Sequence, residues 1–173
     1  MRSVLIVRVT AEEMGLLGSS YFAANPTVPK SQIVADVNTD MPTLIAPLLS
    51  IAPLGAEHSS LVKHVDFACQ QLGIVLQQEP MPEEVRFIRS DQYSFVQQGI
   101  PALHVKYGTL TKDNSFDLVE FTKKWRDENY HKPSDDITNN FDFEAARKYV
   151  QLNFLISYSI AQTRERPRWN EGD

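Results

Sequence analysis

Short apolar runs alternate with longer amphipathic segments along this chain, and that alternation limits its fold more than any other feature. Val4-Leu5-Ile6-Val7 is a continuous aliphatic run. It is too short for a helix and fits a strand buried on both faces. Gly15 to Ala24 follows as a helix that Asn25-Pro26 would stop. Ile33 to Val37, Leu48 to Ile51, Ile74 to Leu76 and Pro101 to Val105 read as further strands. Between them lie helical segments at Glu57 to Leu72, closed by Gly73, and at Tyr93 to Gln98, ended by Gly99. Val85 to Ile88 leads into Ser90-Asp91. Phe116 to Glu128 is helical, Tyr130 to Asn140 is a polar loop, and Phe143 to Gln162 is the longest helix, with Asp142 as its N-cap. Residues 164–173 form a polar tail. The pattern predicts an α/β fold: a three-layer sandwich with a mixed, mainly parallel sheet flanked by helices. The chain opens abruptly on a strand, which leads us to expect an N-terminally truncated domain spanning residues 1–163.

Size and charge narrow the function classes. A chain of 173 residues can bury one real core. A net charge of -5 disfavours nucleic acid and anionic membranes as partners, because phosphates would be repelled. No apolar run reaches the ~20 residues needed to span a bilayer. The single cysteine, Cys69, has no internal partner and reads as a core residue.

Sites in open α/β sheets form outside the carboxyl ends of strands. Glu12 and Glu13 follow the first strand, Asp40 the second and Asp91 a later one. Adjacent carboxylates on an extended turn diverge. One can bind a metal while the other accepts a proton from water that the metal has acidified. The same pair could instead favour a helix N-terminus, where the dipole attracts negative charge. Asp40 and Asp91 could each be simple caps. His131 is either a surface residue or a ligand with Asp135 in its outer shell. His64 fits a helix surface and His104 a core or edge strand. His58, near a helix start, is the imidazole among these three that we would place by a pocket. Serine and cysteine nucleophiles have no local support, since GxSxG and CxxC patterns are absent.

Taken together, the segments resemble a known family. Val9-Thr10-Ala11-Glu12-Glu13-Met14-Gly15 looks like the glutamate-pair motif of co-catalytic zinc aminopeptidases, a family that includes bacterial leucyl aminopeptidases and glutamate carboxypeptidase II. Val37-Asn38-Thr39-Asp40-Met41 resembles its aspartate motif, Ser90-Asp91-Gln92 its Ser-Asp-His segment, and Tyr130-His131-Lys132-Pro133-Ser134-Asp135 its terminal histidine motif. The resemblance implies Glu12 as general base, Glu13 and His131 as ligands of one zinc and Asp40 as a ligand of the other. Asp91, Asp135, His58 and Tyr130 would support the site or line its pocket. It implies a peptide substrate and a family that is often exported, alongside the charge-based expectation of no nucleic-acid or membrane partner. The complete family site holds two zinc ions on five protein ligands, and a histidine and a bridging aspartate are expected upstream of Glu12. With three ligands, this chain is expected to hold one ion or none.

Two departures stand out. Gln92 replaces the family's histidine, and Lys132 replaces its threonine beside His131. The competing readings are a non-catalytic fragment or binding module on the same scaffold and, ranked last, a single-zinc acyltransferase resembling glutaminyl cyclases. A truncated sheet would expose an open edge, from which self-association into a homo-oligomer is expected.

Overall fold

Four of the apolar runs assemble into one mixed sheet, which a computed structural model describes over residues 1–113 and 116–173. The strands are β1 (Asp36–Asn38), β2 (Ser50–Leu54), β3 (Val75–Leu76) and β4 (Ala102–Tyr107), in the spatial order β1-β4-β2-β3. β1 lies parallel to β4, with Asn38 opposite His104. β3 lies parallel to β2, while β2 and β4 are antiparallel. The mixed, mainly parallel sheet agrees with the expectation from sequence.

Helices cover both faces: α1 (Leu17–Ala24), α2 (Val62–Leu72), α3 (Gln92–Val96), α4 (Leu118–Asn129) and α5 (Phe143–Gln162). Side chains alternate across a strand, and β4 shows how this divides the core. Leu103, Val105 and Tyr107 join α2 and α5 in the main apolar cluster. Ala102 belongs to a second cluster with Ala23 of α1 and Phe95 of α3. His104 and Lys106 share the face of Ala102, which is the face that carries the acidic residues described below.

The long helix forms as its sequence dictates. The Asp142 carboxylate accepts from the Ala145 backbone N–H at 2.9 Å, capping the first turn. Tyr149, Leu152, Ile156 and Ile160 recur at helical spacing and are buried, whereas Val150, Phe154 and Tyr158 face outward. Tyr149 can be buried because its hydroxyl donates to the Val105 carbonyl oxygen at 2.9 Å. α2 ends at Gly73, whose φ of 60° suits a residue without a Cβ. Cys69 is buried, and burial pushes its thiol up to about 11, as befits an inert core residue. Among the described residues, no helix is long and apolar enough to cross a membrane.

Four expectations need correction. The strand at Val4–Val7 does not form: Val4 is 62% exposed and Ile6 84%. A strand needs a neighbour to receive its backbone groups, and no described segment pairs with this one. Its ends are nonetheless fixed, by Arg2 donating to the carbonyls of Ile160 and Arg164 and by Thr10 lying against Gly18. Next, α2 begins at Val62 rather than Glu57, because Ser59 and Ser60 pair instead with Trp169 and Arg168. His64 is buried rather than superficial, its Nδ1 lying 2.8 Å from the Ser159 hydroxyl on α5. Lastly, the polar segment after α5 is docked: Arg166 donates to the carbonyls of Ser31 and Ile33, and Trp169 Nε1 to that of Gly99.

Candidate functional site

The glutamate pair sits on a tight turn rather than on a helix. Ala11 has a φ of 58° and Leu16 one of 59°, so the backbone reverses twice within six residues. The N–H groups of Gly15 and Leu16 donate to the Glu12 carbonyl, and Gly18 donates to that of Thr10 at 3.0 Å. α1 then starts at Leu17 with no acidic residue in its first turn. The helix-dipole explanation of Glu12 and Glu13 therefore fails. Asp91 stands at the start of α3 but makes no capping hydrogen bond.

Asp40 follows β1 and is held from two sides. Its carbonyl oxygen accepts from His104 Nε2 at 3.0 Å and from Lys106 Nζ at 3.2 Å. These two residues are adjacent on one face of β4, and the β1–β4 register brings them there. The carbonyl can only accept, so the His104 proton is on Nε2. Burial, helped by the Lys106 charge, pushes His104 down to about 4 and keeps it neutral. The Asp40 carboxylate accepts from the Ser90 hydroxyl at 3.0 Å. Asn38 donates to Ser90 at 3.0 Å and to the Gln92 amide oxygen at 2.8 Å. Gln92 is wholly buried and also donates to the Phe87 carbonyl. It thus belongs to a hydrogen-bonded network behind Asp40 and makes no contact with the cavity.

His131 arrives from the other side. α4 ends at Asn129, and His131 takes a φ of 58°, which turns its ring back toward the glutamates. Its Nε2 lies 2.8 Å from Glu13 Oε1, and the same oxygen accepts from the Tyr130 hydroxyl at 3.2 Å. The Tyr130 and His131 rings stack at 3.7 Å. Lys132 donates to the Asp127 carbonyl at the end of α4, so its charge is engaged away from His131.

Glu12, Glu13, Asp40, Tyr130, His104 and Lys106 line one open cavity of about 770 Å³. Burial raises the Glu12 carboxyl above its ordinary value, and Asp40, Glu13 and Asp91 raise it further against the opposing Lys106 charge. Lys106 itself falls to about 8, chiefly through burial, with Asp40 opposing and Arg86 and Arg126 assisting. Of the other predicted residues, His131 reaches the cavity only through its contact with Glu13, and Asp91, His58 and Asp135 are not in its wall. His58 pairs with Asp173 at 3.2 Å. Asp135 is exposed on the loop, and its N–H donates to the Lys132 carbonyl.

Carboxylate oxygen and imidazole nitrogen are donors that zinc accepts, and two such atoms on a tetrahedral ion stand roughly 3.3 Å apart. The Glu13–His131 contact would need to open by only ~0.5 Å to admit one. Among the described residues, however, no three His, Cys, Asp or Glu side chains converge on one point. The pair fits as part of a metal site and needs further ligands to complete it.

Asp36 on β1 and Asp91 each hold a buried carboxylate oxygen with no hydrogen-bond partner. Burial, with Asp91 adding to it, lifts Asp36 to about 7. A folded-state value above the unfolded one means that the native state binds the extra proton. This stability is present below about pH 4 and is lost as pH rises toward 7. Asp36→Asn is therefore expected to raise the melting temperature at pH 7.5, by the equivalent of up to roughly 4 kcal/mol, and to leave it unchanged at pH 4. Melting both proteins across this range checks it; an equal difference at both ends would reject the assignment.

Comparison with known proteins adds the following. A model of peptidase family M28 matches residues 1–155. A zinc aminopeptidase from Bacillus subtilis is 22% identical with a TM-score of 0.62, covering 91% of this chain and 35% of that one. An aminopeptidase from Aneurinibacillus sp. strain AM-1 is also 22% identical, with a TM-score of 0.59 and coverages of 94% and 33%. The chain thus spans about a third of the length of these solved structures. No curated protein sequence matches it.

Proposed function

This chain belongs to peptidase family M28, and from that membership we propose that it carries part of the active site of a zinc-dependent aminopeptidase. The substrate is a peptide, and the product is its N-terminal residue. The observation that carries the reading is the pairing of His131 at 2.8 Å with Glu13, which lines the same cavity as Glu12 and Asp40.

In this reading, Glu13 and His131 would hold one zinc ion and Asp40 would help to hold a second. Zinc, when bound, supplies Lewis acidity, which polarises a carbonyl and makes water a stronger acid. Glu12 takes the proton of the attacking water on its carboxylate and returns it to the departing amine. Its proton affinity, raised by burial and by the neighbouring carboxylates, favours both the uptake and the return of that proton. Tyr130 orients Glu13 through its hydroxyl, and Ser90 orients Asp40. Asp91 acts through its charge on Glu12. Residues 1–163 make up the catalytic portion, and 164–173 are a docked polar segment.

Zinc titration by calorimetry, run beside hydrolysis of aminoacyl nitroanilides, tests the proposal. His131→Ala and Glu13→Ala should each weaken zinc binding at least ~10-fold, the loss expected even from outer-shell partners. One observation favours a second reading, a non-catalytic scaffold: among the described residues no three ligands converge. Folded protein that takes up no zinc and turns over no substrate would decide for it.

A further inference from the structure

The cavity is polarised, and its second wall has a chemistry of its own. The same cavity is also lined by Arg86, from the 3-10 turn Arg86–Arg89, by Arg126 of α4, and by Lys106, which donates to the Asp40 carbonyl. Glu84 Oε2 lies 3.9 Å from Arg86 Nε and 3.9 Å from Arg126 Nη1. One carboxylate oxygen is thus set between two guanidinium groups and hydrogen-bonded to neither. Arg86 Nε is buried and has no hydrogen-bond partner, although the same guanidinium also pairs with Glu79. Among the described residues, the Arg126 guanidinium donates no hydrogen bond; it lies over the Tyr130 ring, 5.8 Å from the centroid. The two guanidinium groups share two carboxylates, Glu79 and Glu84, while Lys106 faces Asp40 and Glu12.

Guanidinium groups make their strong contacts in bidentate geometry at about 2.7–2.9 Å. Arg86 already donates to Glu79 through one nitrogen, so the capacity left over lies in its Nε and in the Arg126 guanidinium, both of which Glu84 approaches only to 3.9 Å. We propose that the Arg86–Arg126 corner binds a carboxylate of the substrate, with Glu84 as a loosely held internal stand-in that yields to it. This rests on the peptidase reading and deepens it by naming a substrate class: peptides with a carboxylate close to the scissile bond. The location supports that choice. Arg126 covers Tyr130, and the Tyr130 hydroxyl touches Glu13, so the corner adjoins the reacting groups. The acidic wall repels a carboxylate and attracts an α-amine. A peptide therefore enters in one orientation, with its amine toward Glu12 and Glu13. The carboxylate can be an acidic side chain or the free C-terminus of a dipeptide.

Direct binding to the full 173-residue chain without added metal separates this idea from the catalytic one. The readout is the set of arginine Nε–H signals in a proton–nitrogen correlation spectrum. N-acetylglutamate methylamide is compared with its glutamine counterpart, and alanyl-alanine with alanyl-alanine amide. The charged member of at least one pair should bind ~10-fold more tightly and shift the Arg86 and Arg126 signals, the gain expected of one charge-assisted contact. Which pair discriminates assigns the source of the carboxylate. Arg126→Gln should lose that gain, and Glu84→Gln should increase affinity by removing the competitor. Equal binding within both pairs, shifts confined to other arginines, or unchanged or weaker binding by Glu84→Gln would overturn the proposal. Absence of turnover in the nitroanilide assay would count against the hydrolase reading and leave this result standing.

Discussion

Glu12→Gln is expected to lower kcat on aminoacyl nitroanilides by roughly 10²–10⁴-fold, the range associated with loss of a positioned general base. Glutamine keeps the size and hydrogen bonding of the side chain but cannot accept the proton. Zinc content should not change, because Glu13, Asp40 and His131 are untouched. Stability should hold or rise slightly, since the variant removes a partly buried charge that Asp40, Glu13 and Asp91 repel. If the proposed activity holds, the acidic limb of kcat/KM for the parent chain is expected above the ordinary carboxylate range, following the raised proton affinity of Glu12. Steady-state kinetics with metal analysis checks these points together. Parent-like turnover in the variant would refute the base assignment.

Gly18→Ala should harm both stability and metal binding, although alanine is normally the better helix former by ~1 kcal/mol. A Cβ at residue 18 would stand 2.4 Å from the Thr10 carbonyl oxygen and 2.6 Å from its nitrogen. These are backbone atoms, so the clash cannot be relieved by a rotamer change. Thr10 must move, and the turn that presents Glu12 and Glu13 two and three residues later moves with it. Overpacking of this kind costs about 1–3 kcal/mol. We expect a net loss in that range, with zinc affinity falling at least ~10-fold, as in the ligand-orientation losses cited above. Gly73→Ala is the control: its φ is 60°, but a Cβ there meets nothing within 4 Å. It should lower the melting temperature without touching zinc or turnover. Thermal melts and zinc titrations of both variants distinguish the cases, and parent-like zinc affinity in Gly18→Ala would show that the turn is not coupled to the helix.

Local signals explain which parts of the fold could be read in advance. α5 runs from Phe143 to Gln162 as expected, because its period and its Asp142 cap act within a few residues. The end of α2 at Gly73 has the same local origin. β2 has no such local marker at its end. It continues through Pro53, where proline argues against a central strand, because β3 stops opposite Ile51 and leaves Pro53 without a neighbour on that side. His64 looked superficial because its partner, Ser159, is 95 residues away. The expected strand at Val4–Val7 had the right composition but lacked the neighbour that a strand requires.

The site divides in the same way. Glu12, Glu13, Asp40 and His131 carry motif information within a few residues of themselves, whereas His104, Lys106 and Arg126 carry none. His104 and Lys106 become relevant only when β1 and β4 align and their side chains meet the carbonyl of Asp40. Their spacing of two along a strand was the available hint, and it says nothing about what they face.

The left-handed backbone at Ala11, Leu16 and His131 bears on how such a protein changes under selection. Each of these residues carries a Cβ in a conformation that costs about 1–2 kcal/mol outside glycine. Laboratory evolution for heat tolerance would favour glycine or asparagine at all three positions. At His131 that substitution discards the imidazole paired with Glu13. Robustness and chemistry therefore place opposite demands on one residue, and variants ranked by melting temperature alone would be drawn away from the active form.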